Sequence, residues 1–232
     1  MRRLVCSAIV AALCVAASAR ADSILYESAT NGGGTNDGGG VLILSTQFLA
    51  SEFTLSSAAT ITNIIGQVQN FGDPQTPNNF FMTLLQLSGP GIPNNLVGDP
   101  FGGTTQLDTT TFSAAPSTTS QEVSFPVSIS VSPGTYAVVF GSGLFGSPVT
   151  AAGYMPDGSS GSGNVVQPGA NLFIWFPNTP PLVFANARWS DLGNLGQRFV
   201  VEGTVPEPSS ILLVGFGLIT LVAFCRKGKI SQ

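Results

Sequence analysis

The sequence of 232 residues contains no histidine, few charged residues and no lysine before position 227. Without histidine, the chain lacks the usual triad base and the commonest metal ligand. Charged residues make up 9% of the chain, against about a quarter in a typical soluble domain. Between Asp22 and Val205, two arginines accompany eleven acidic residues, a formal balance of −9. Such an acidic stretch repels phosphate backbones, so the sequence predicts no nucleic-acid partner.

Cysteine is absent from the whole central part of the chain. The three cysteines are Cys6, Cys14 and Cys225, all of which lie in the two end segments. The central part therefore has no internal disulfide, although an exported protein would tolerate one. It contains 14 of the 16 phenylalanines and both tryptophans. About 180 residues with this apolar content are enough to bury a core without covalent cross-links.

The first 21 residues have the pattern of a secretory signal peptide. Arg2 and Arg3 precede the apolar run Leu4–Ala17, and Ala19 and Ala21 then form a small-x-small site for signal peptidase. Because the run is short and the cleavage pattern follows it, a cleaved signal is favoured over a permanent anchor. We expect cleavage after Ala21, so that Asp22 becomes the first residue of the mature protein.

The C-terminal end has the pattern of a membrane-spanning segment. Pro208–Cys225 is uncharged over 18 residues, which gives about 27 Å of helix at about 1.5 Å per residue. This is close to the ~30 Å of a bilayer's hydrocarbon core, and we expect residues 209–225 to span it. A buried core helix is the alternative, but a basic cluster follows directly and is typical of a stop-transfer segment. Its members, which would stay cytoplasmic, are Arg226, Lys227 and Lys229.

The residues before this span form an extended, accessible motif. Pro206 and Pro208 fix φ and exclude helix and sheet at Val205-Pro206-Glu207-Pro208. Pro-Glu-Pro, an apolar helix and a terminal basic cluster, in that order, resemble the PEP-CTERM sorting signal recognised by exosortases of Gram-negative bacteria. The resemblance covers roughly residues 205–229. It implies removal of the tail near the tripeptide, and release or anchoring of the rest in the envelope or in an exopolysaccharide-rich biofilm matrix.

The central part shows the two-residue periodicity of β-strands. Apolar residues alternate with serines and a proline over Val123–Val131, which predicts a half-buried strand. The turn Ser132-Pro133-Gly134 and the apolar run Thr135–Phe140 predict a hairpin with it. Pro126 cannot donate to a ladder, so an edge position or a bulge is expected there. Further strands are predicted at Ile24–Glu27, Val41–Leu44, Gln47–Leu55, Thr60–Gln69, Phe80–Leu87, Val149–Met155, Leu172–Phe176, Leu182–Trp189 and Arg198–Glu202.

Many short strands with frequent turn signals predict an all-β fold for residues 22–204. The expected architecture is an antiparallel, jelly-roll-like β-sandwich between the signal peptide, residues 1–21, and the sorting tail, residues 205–232. Phe80–Leu87 is apolar on both faces and is predicted to be a central strand. The order of the segments is similar to that of exported β-sandwich domains that precede PEP-CTERM tails. That resemblance implies no catalytic residues.

Acidic residues offer two kinds of chemistry, a carboxylate-dependent hydrolase and a Ca²⁺ site. Most of the acids stand in turn contexts, such as Gly72-Asp73-Pro74 and Gly98-Asp99-Pro100, where Asp bonds its own backbone. The loops Asn31–Asp37 and Asp157–Asn164 are rich in oxygen ligands but lack the EF-hand pattern. We therefore assign no catalytic residue, no metal ligand and no cofactor, with Ca²⁺ left open for these loops.

Aromatic residues suggest the alternative function, a carbohydrate-binding module of an exopolysaccharide matrix. Trp175 and Trp189 lie close in sequence, and either could stack on a sugar if exposed. Alternation places Phe173 and Trp175 on one face of a strand and Ile174 on the other, and one face must belong to the core. The favoured interpretation is a non-enzymatic, exported protein that starts as a single-pass precursor in the inner membrane. It would then reach the cell envelope, the outer surface or the matrix, with signal peptidase and exosortase as processing partners and polysaccharide as an open possibility.

Overall fold

Strands account for the regular structure of this protein. The computed structural model describes residues 22–29, 40–70, 78–93, 96–117, 119–156, 172–177, 185, 187–193 and 196–206, and none of these lies in an α-helix. Within them, twelve strands follow one another: β1 (Ser23–Glu27), β2 (Gly40–Ile43), β3 (Phe48–Leu55), β4 (Ala59–Asn70), β5 (Asn78–Gln86), β6 (Thr105–Ala114), β7 (Gln121–Val131), β8 (Gly134–Gly141), β9 (Gly153–Pro156), β10 (Leu172–Pro177), β11 (Ala187–Gly193) and β12 (Phe199–Thr204).

The strands form two antiparallel sheets of six strands each. Sheet one has the order β1-β12-β4-β9-β2, and β7 pairs with β4 beside this path. Sheet two has the order β11-β10-β3-β8-β5-β6. Strands that follow one another in the sequence often lie in different sheets. The connections β3–β4 and β7–β8, for example, each cross from one sheet to the other. The prediction of an all-β, antiparallel fold is confirmed.

The facing sides of the two sheets share one hydrophobic core. Alternate residues of β4 and β12 in sheet one, and of β3, β5 and β8 in sheet two, contribute to it. Phe140 lies at its centre, fully buried, with its ring 5.6 Å from that of Phe199 and 5.9 Å from that of Phe125. Burying one such side chain contributes about 1.5–3 kcal/mol. The backbone approaches this ring closely at Gly66, where a Cβ would stand 2.5 Å from Phe140 Cζ.

Sheet two buries its other face as well. A second cluster there contains Phe48, Phe81, Phe173, Trp175 and Trp189. Partly buried side chains from two loops, Phe101 and Leu144, pack against this cluster. Strands covered on both sides have apolar residues at consecutive positions. This is the physical reason why β5 and β10 have nearly continuous apolar sequences.

Most strand predictions agree with the structure within a few residues. The central position of Phe80–Leu87 is confirmed, since β5 lies between β8 and β6 and is buried on both faces. The expectation for Pro126 is also confirmed. β7 pairs with β4 alone among the described strands, and their register is irregular where Pro126 opposes Asn63.

Three strand predictions need correction. The predicted hairpin of Val123–Val131 with Thr135–Phe140 is wrong, because β7 and β8 belong to different sheets. The turn between them crosses the edge of the core, and both strands direct one apolar face into it. β6 was not predicted, because half of its residues are threonine or serine. The strand expected at Val149–Met155 is confined to β9, and that expected at Leu182–Trp189 lies at β11, four residues beyond the prediction at its far end.

Several predictions concern residues outside the described ranges. These are the signal peptide at 1–21, the predicted span at 209–225, and the oxygen-rich loops at 31–37 and 157–164. In the part of the chain that is described, no helix is long and apolar enough to cross a membrane.

The central phenylalanine of the core supports a stability prediction. Phe140→Ala should lower the free energy of unfolding of the mature protein by about 3–5 kcal/mol, because it removes a fully buried ring and leaves a cavity. Urea unfolding followed by tryptophan fluorescence measures this loss. Phe145→Ala is the matched control, since that ring is 40% exposed, and it should cost less than half as much. Equal losses for the two variants would contradict the assignment of the core.

Candidate sorting site and its attachment to the body

The candidate sorting motif follows directly on the last strand of the body. β12 pairs with β1 on one side and with β4 on the other, up to Gly203 opposite Ser23 and Thr204 opposite Thr60. It is therefore an interior strand of sheet one although it comes last in the sequence. The regular fold extends to Thr204, and the backbone there is fixed by both neighbours.

The chain leaves the sheet at the first residues of the predicted processing motif. Val205 is 37% exposed and Pro206 is exposed. Pro206 has no N–H group, so the ladder cannot continue through it. This gives a local, covalent reason for the strand to end where it does. Glu207 and Pro208 lie outside the described residues, as do Arg226, Lys227 and Lys229.

The predicted N-terminal processing site is connected to the same end of sheet one. Asp22 is exposed and precedes β1, and the Ser23 hydroxyl donates a hydrogen bond to the Gly203 carbonyl oxygen at 3.1 Å. Ala19 and Ala21 lie outside the described residues. Because β1 and β12 are antiparallel neighbours, the first and last residues of the body lie side by side. Sequence patterns alone did not indicate this proximity.

An ion triad fixes the opposite end of β12. Arg198 Nε donates to Glu27 Oε1 at 3.0 Å, and Arg198 Nη1 donates to Glu122 Oε2 at 2.6 Å. The triad joins β1, β7 and the residue that precedes β12 across the outer face of sheet one. Sequence reasoning missed this triad. The only indication of this triad in the sequence was the scarcity of cations in the body. With so many acids present, an arginine is expected to pair with one of them, but the sequence does not say with which.

A second polar network lies on the same outer face, closer to the sorting motif. Asn63 Nδ2 donates to Glu202 Oε2 at 2.8 Å, and Ser124 Oγ donates to Asn63 Oδ1 at 2.9 Å. These bonds connect β12, β4 and β7 in one row. The carboxylates of this face are thus used in structural contacts that position the strand before the motif.

The two tryptophans considered as an alternative for sugar stacking are buried. Trp175 is 0% and Trp189 is 3% exposed, and their ring centroids lie 5.7 Å apart in an edge-to-face arrangement. Trp189 Nε1 donates to the Pro100 carbonyl oxygen at 2.8 Å, so the loop after β5 crosses over this pair. Neither ring presents a face to solvent, so neither tryptophan is placed to stack on a sugar. Both faces of β10 are buried in a hydrophobic core, whereas the sequence analysis required burial of only one face.

The same loop is attached to sheet two by a buried carboxylate. Gly91 N–H donates to Glu52 Oε2 at 2.8 Å, and Glu52 is only 7% exposed. Burial raises the pKa of Glu52 above its ordinary value, and the charge of Asp191 adds to the increase, while the Gly91 hydrogen bond opposes it. The surroundings of Glu52 therefore disfavour its charged form.

Two further acids, Asp99 and Asp191, bond backbone N–H groups close to them in the sequence, and for Asp99 this agrees with its predicted turn context. Asp99 Oδ1 accepts hydrogen bonds from the N–H groups of Phe101 and Gly102, at 3.1 and 2.9 Å. Asp191 Oδ1 accepts one from Gly193 N–H at 2.6 Å. Among the described residues, no group of three or more Cys, Asp or Glu side chains is placed to hold a metal ion.

The environment of Glu52 gives a prediction for the pH dependence of stability. A carboxyl whose pKa is raised by folding contributes stability below its unfolded pKa, and this is lost as the pH rises through the folded value. Glu52→Gln keeps an acceptor for Gly91 without the charge. The stability of this variant relative to wild type should therefore increase between about pH 4 and pH 7. Urea unfolding across this range measures it, and a difference independent of pH would contradict the prediction.

Comparisons with known proteins identify the C-terminal segment. The model of the PEP-CTERM protein-sorting motif matches residues 204–227. No curated protein matches the chain in sequence. Among solved structures, a structure of infectious bursal disease virus Gx strain is similar at 11% identity and a TM-score of 0.23, over 90% of this chain and 49% of that chain. The chain thus spans about half of the viral chain, and a likeness this weak carries no argument. The motif match agrees with the tripeptide that follows β12, so the C-terminal end of the chain carries a PEP-CTERM protein-sorting motif.

Proposed function

We propose that this protein is a non-enzymatic component of the cell surface or extracellular matrix, sorted and processed by an exosortase through its C-terminal tail. The proposal rests on the position of the boundary between the folded body and the sorting motif. The matched motif begins at residue 204, which is also the last residue of β12. Because the body ends where the sorting motif begins, removal of the tail would leave every strand intact.

Each part of the tail has a separate role in this proposal. Pro206, Glu207 and Pro208 present an extended segment to the processing enzyme, and residues 209–225 hold the precursor in the inner membrane. Arg226, Lys227 and Lys229 keep the end of the chain cytoplasmic. Signal peptidase removes residues 1–21, and the released protein reaches the envelope, the outer surface or the matrix of a Gram-negative bacterium.

We assign the body to the jelly-roll β-sandwiches. Eight of its strands, β1, β3–β8 and β12, support this assignment through their order. In sheet one the spatial order of these strands is β1-β12-β4-β7. In sheet two it is β3-β8-β5-β6. Numbered one to eight along the chain, these are the interleaved orders 1-8-3-6 and 2-7-4-5, which two Greek keys produce. β2, β9, β10 and β11 extend the two sheets.

The non-enzymatic role is supported by the contacts that the carboxylates make. Glu27 and Glu122 bind Arg198, and Glu202 binds Asn63. Asp99 accepts bonds from the backbone of its own turn. A pair of catalytic carboxylates has to face a substrate across a cleft, whereas these side chains are engaged in holding strands and loops together. We therefore place the specific chemistry of the protein in its tail and not in its body.

Replacement of the tripeptide tests the proposed function. The variant in which Pro206, Glu207 and Pro208 are changed to Ala should remain at full length in the inner membrane, because the enzyme no longer recognises the extended segment. Cell fractionation with an antibody against the body, and mass spectrometry of the C-terminus, measure the change. The wild-type protein should appear in the envelope or the medium without its tail.

A second triple variant is the matched control. Ile230, Ser231 and Gln232 lie beyond the matched motif, and their replacement by Ala should leave processing unchanged. If the tripeptide variant is processed and released as efficiently as this control, the proposed function is wrong.

A further inference from the structure

One end of the sandwich brings together both ends of the body and two of the connections between its sheets. Ser23 and Gly203 are paired there, next to Thr204 and Thr60. The connections β3–β4 and β7–β8 also lie at this end, since Ala59 pairs with Val131 and Leu55 with Gly134. We call this end, formed by residues 22–23, 55–60, 131–134 and 203–206, the terminal face.

The terminal face has little charge. Residues 53–60, 130–136 and 203–206 contain no acidic or basic side chain. Asp22 lies within the face and Glu202 beside it, and Glu202 is bonded to Asn63. The opposite end of sheet one carries the triad of Arg198, Glu27 and Glu122. In a body with a formal charge of −9, the terminal face is therefore poor in acids and suited to approach an anionic lipid surface.

The chain that connects this face to the membrane is short. Four residues lie between Thr204 and Ser209, where the predicted span begins, and the five fully extended Cα–Cα steps between these two residues reach only about 17 Å. β4 has 12 residues and is about 40 Å long at about 3.3 Å per residue. The connection therefore keeps Thr204 within about 17 Å of the membrane, whereas it does not hold the far end of β4, up to about 40 Å away, near the bilayer.

We propose that, in the anchored precursor, the terminal face is held against the lipid surface and contacts it. The proposal rests on the proposed function, because it requires residues 209–225 to lie in the membrane. The partner is the outer leaflet of the inner membrane, an interface of lipid headgroups. The exposed loop residues that would contact it are Ser56, Ser57, Ala58, Ser132 and Pro133.

A pair of matched probes tests the orientation. Ala58 and Ala115 are both exposed alanines in loops, the first on the terminal face and the second at the opposite end, beyond β6. The precursor that begins at Asp22 is used, with Pro206, Glu207 and Pro208 changed to Ala and with Cys225 replaced by Ser. Either Ala58→Cys or Ala115→Cys then carries a fluorophore, in vesicles of phosphatidylethanolamine and phosphatidylglycerol with a headgroup quencher. Quenching should be at least about threefold stronger at position 58, given about 40 Å between the ends of the sheet.

A linker variant tests the cause of this orientation. Insertion of about twelve Gly and Ser residues between Thr204 and Val205 adds roughly 17–20 Å of flexible chain and should reduce quenching at position 58 towards that at position 115. Unchanged quenching after the insertion would overturn the proposal, since the short connection would then not hold the face in place.

The remaining outcomes separate this proposal from the proposed function. Equal quenching at the two positions, in precursor that sediments with the vesicles, overturns the orientation and leaves the proposed function standing. Precursor that does not associate with vesicles overturns both.

Discussion

The insertion of β12 between β1 and β4 is the constraint on which the rest of the structure depends. β1 pairs with β12 alone among the described strands, so the first strand has a place in sheet one only through the last. Their paired residues are about 180 positions apart in the sequence, as Ser23 and Gly203 show. Sheet one therefore closes only when β12, the strand directly before the sorting motif, is available to it.

The body compensates for its lack of disulfides by burying both faces of sheet two. Phe140 and its neighbours fill the space between the sheets, while Trp175 and Trp189 form a second cluster under the loop that contains Pro100. Glu52 attaches that loop through Gly91 at a cost in desolvation. Sheet two thus contributes to an apolar layer on each of its faces. These two layers stabilise the folded domain of a chain in which 9% of the residues are charged. Most aromatic residues of the described chain are used for packing.

Sequence periodicity predicted what depends on neighbours along the chain, and it failed where distant segments meet. Alternation located β7, and the position of Pro126 followed from its missing N–H group. The pairing of β7 was misassigned, because a turn such as Ser132-Pro133-Gly134 can return a strand in its own sheet or pass it to the other. The burial of Trp189 depends on a loop 89 positions away. Likewise, the partners of Arg198 are 171 and 76 positions distant, and no local pattern encodes them.

The site differs from the fold in this respect, because a sorting signal is local in sequence. A processing enzyme recognises an extended tripeptide, a run of apolar residues inserts into a bilayer, and membrane topology depends on nearby cations. None of these requires a contact between distant residues, so the sorting motif of the tail could be recognised from the amino-acid sequence alone. The structure adds the junction, where Pro206 ends the ladder two residues after Thr204 and exposes the chain. A signal placed inside β12 would have been hidden by β1 and β4, so its position just beyond the strand lets a folded body and an accessible tail coexist.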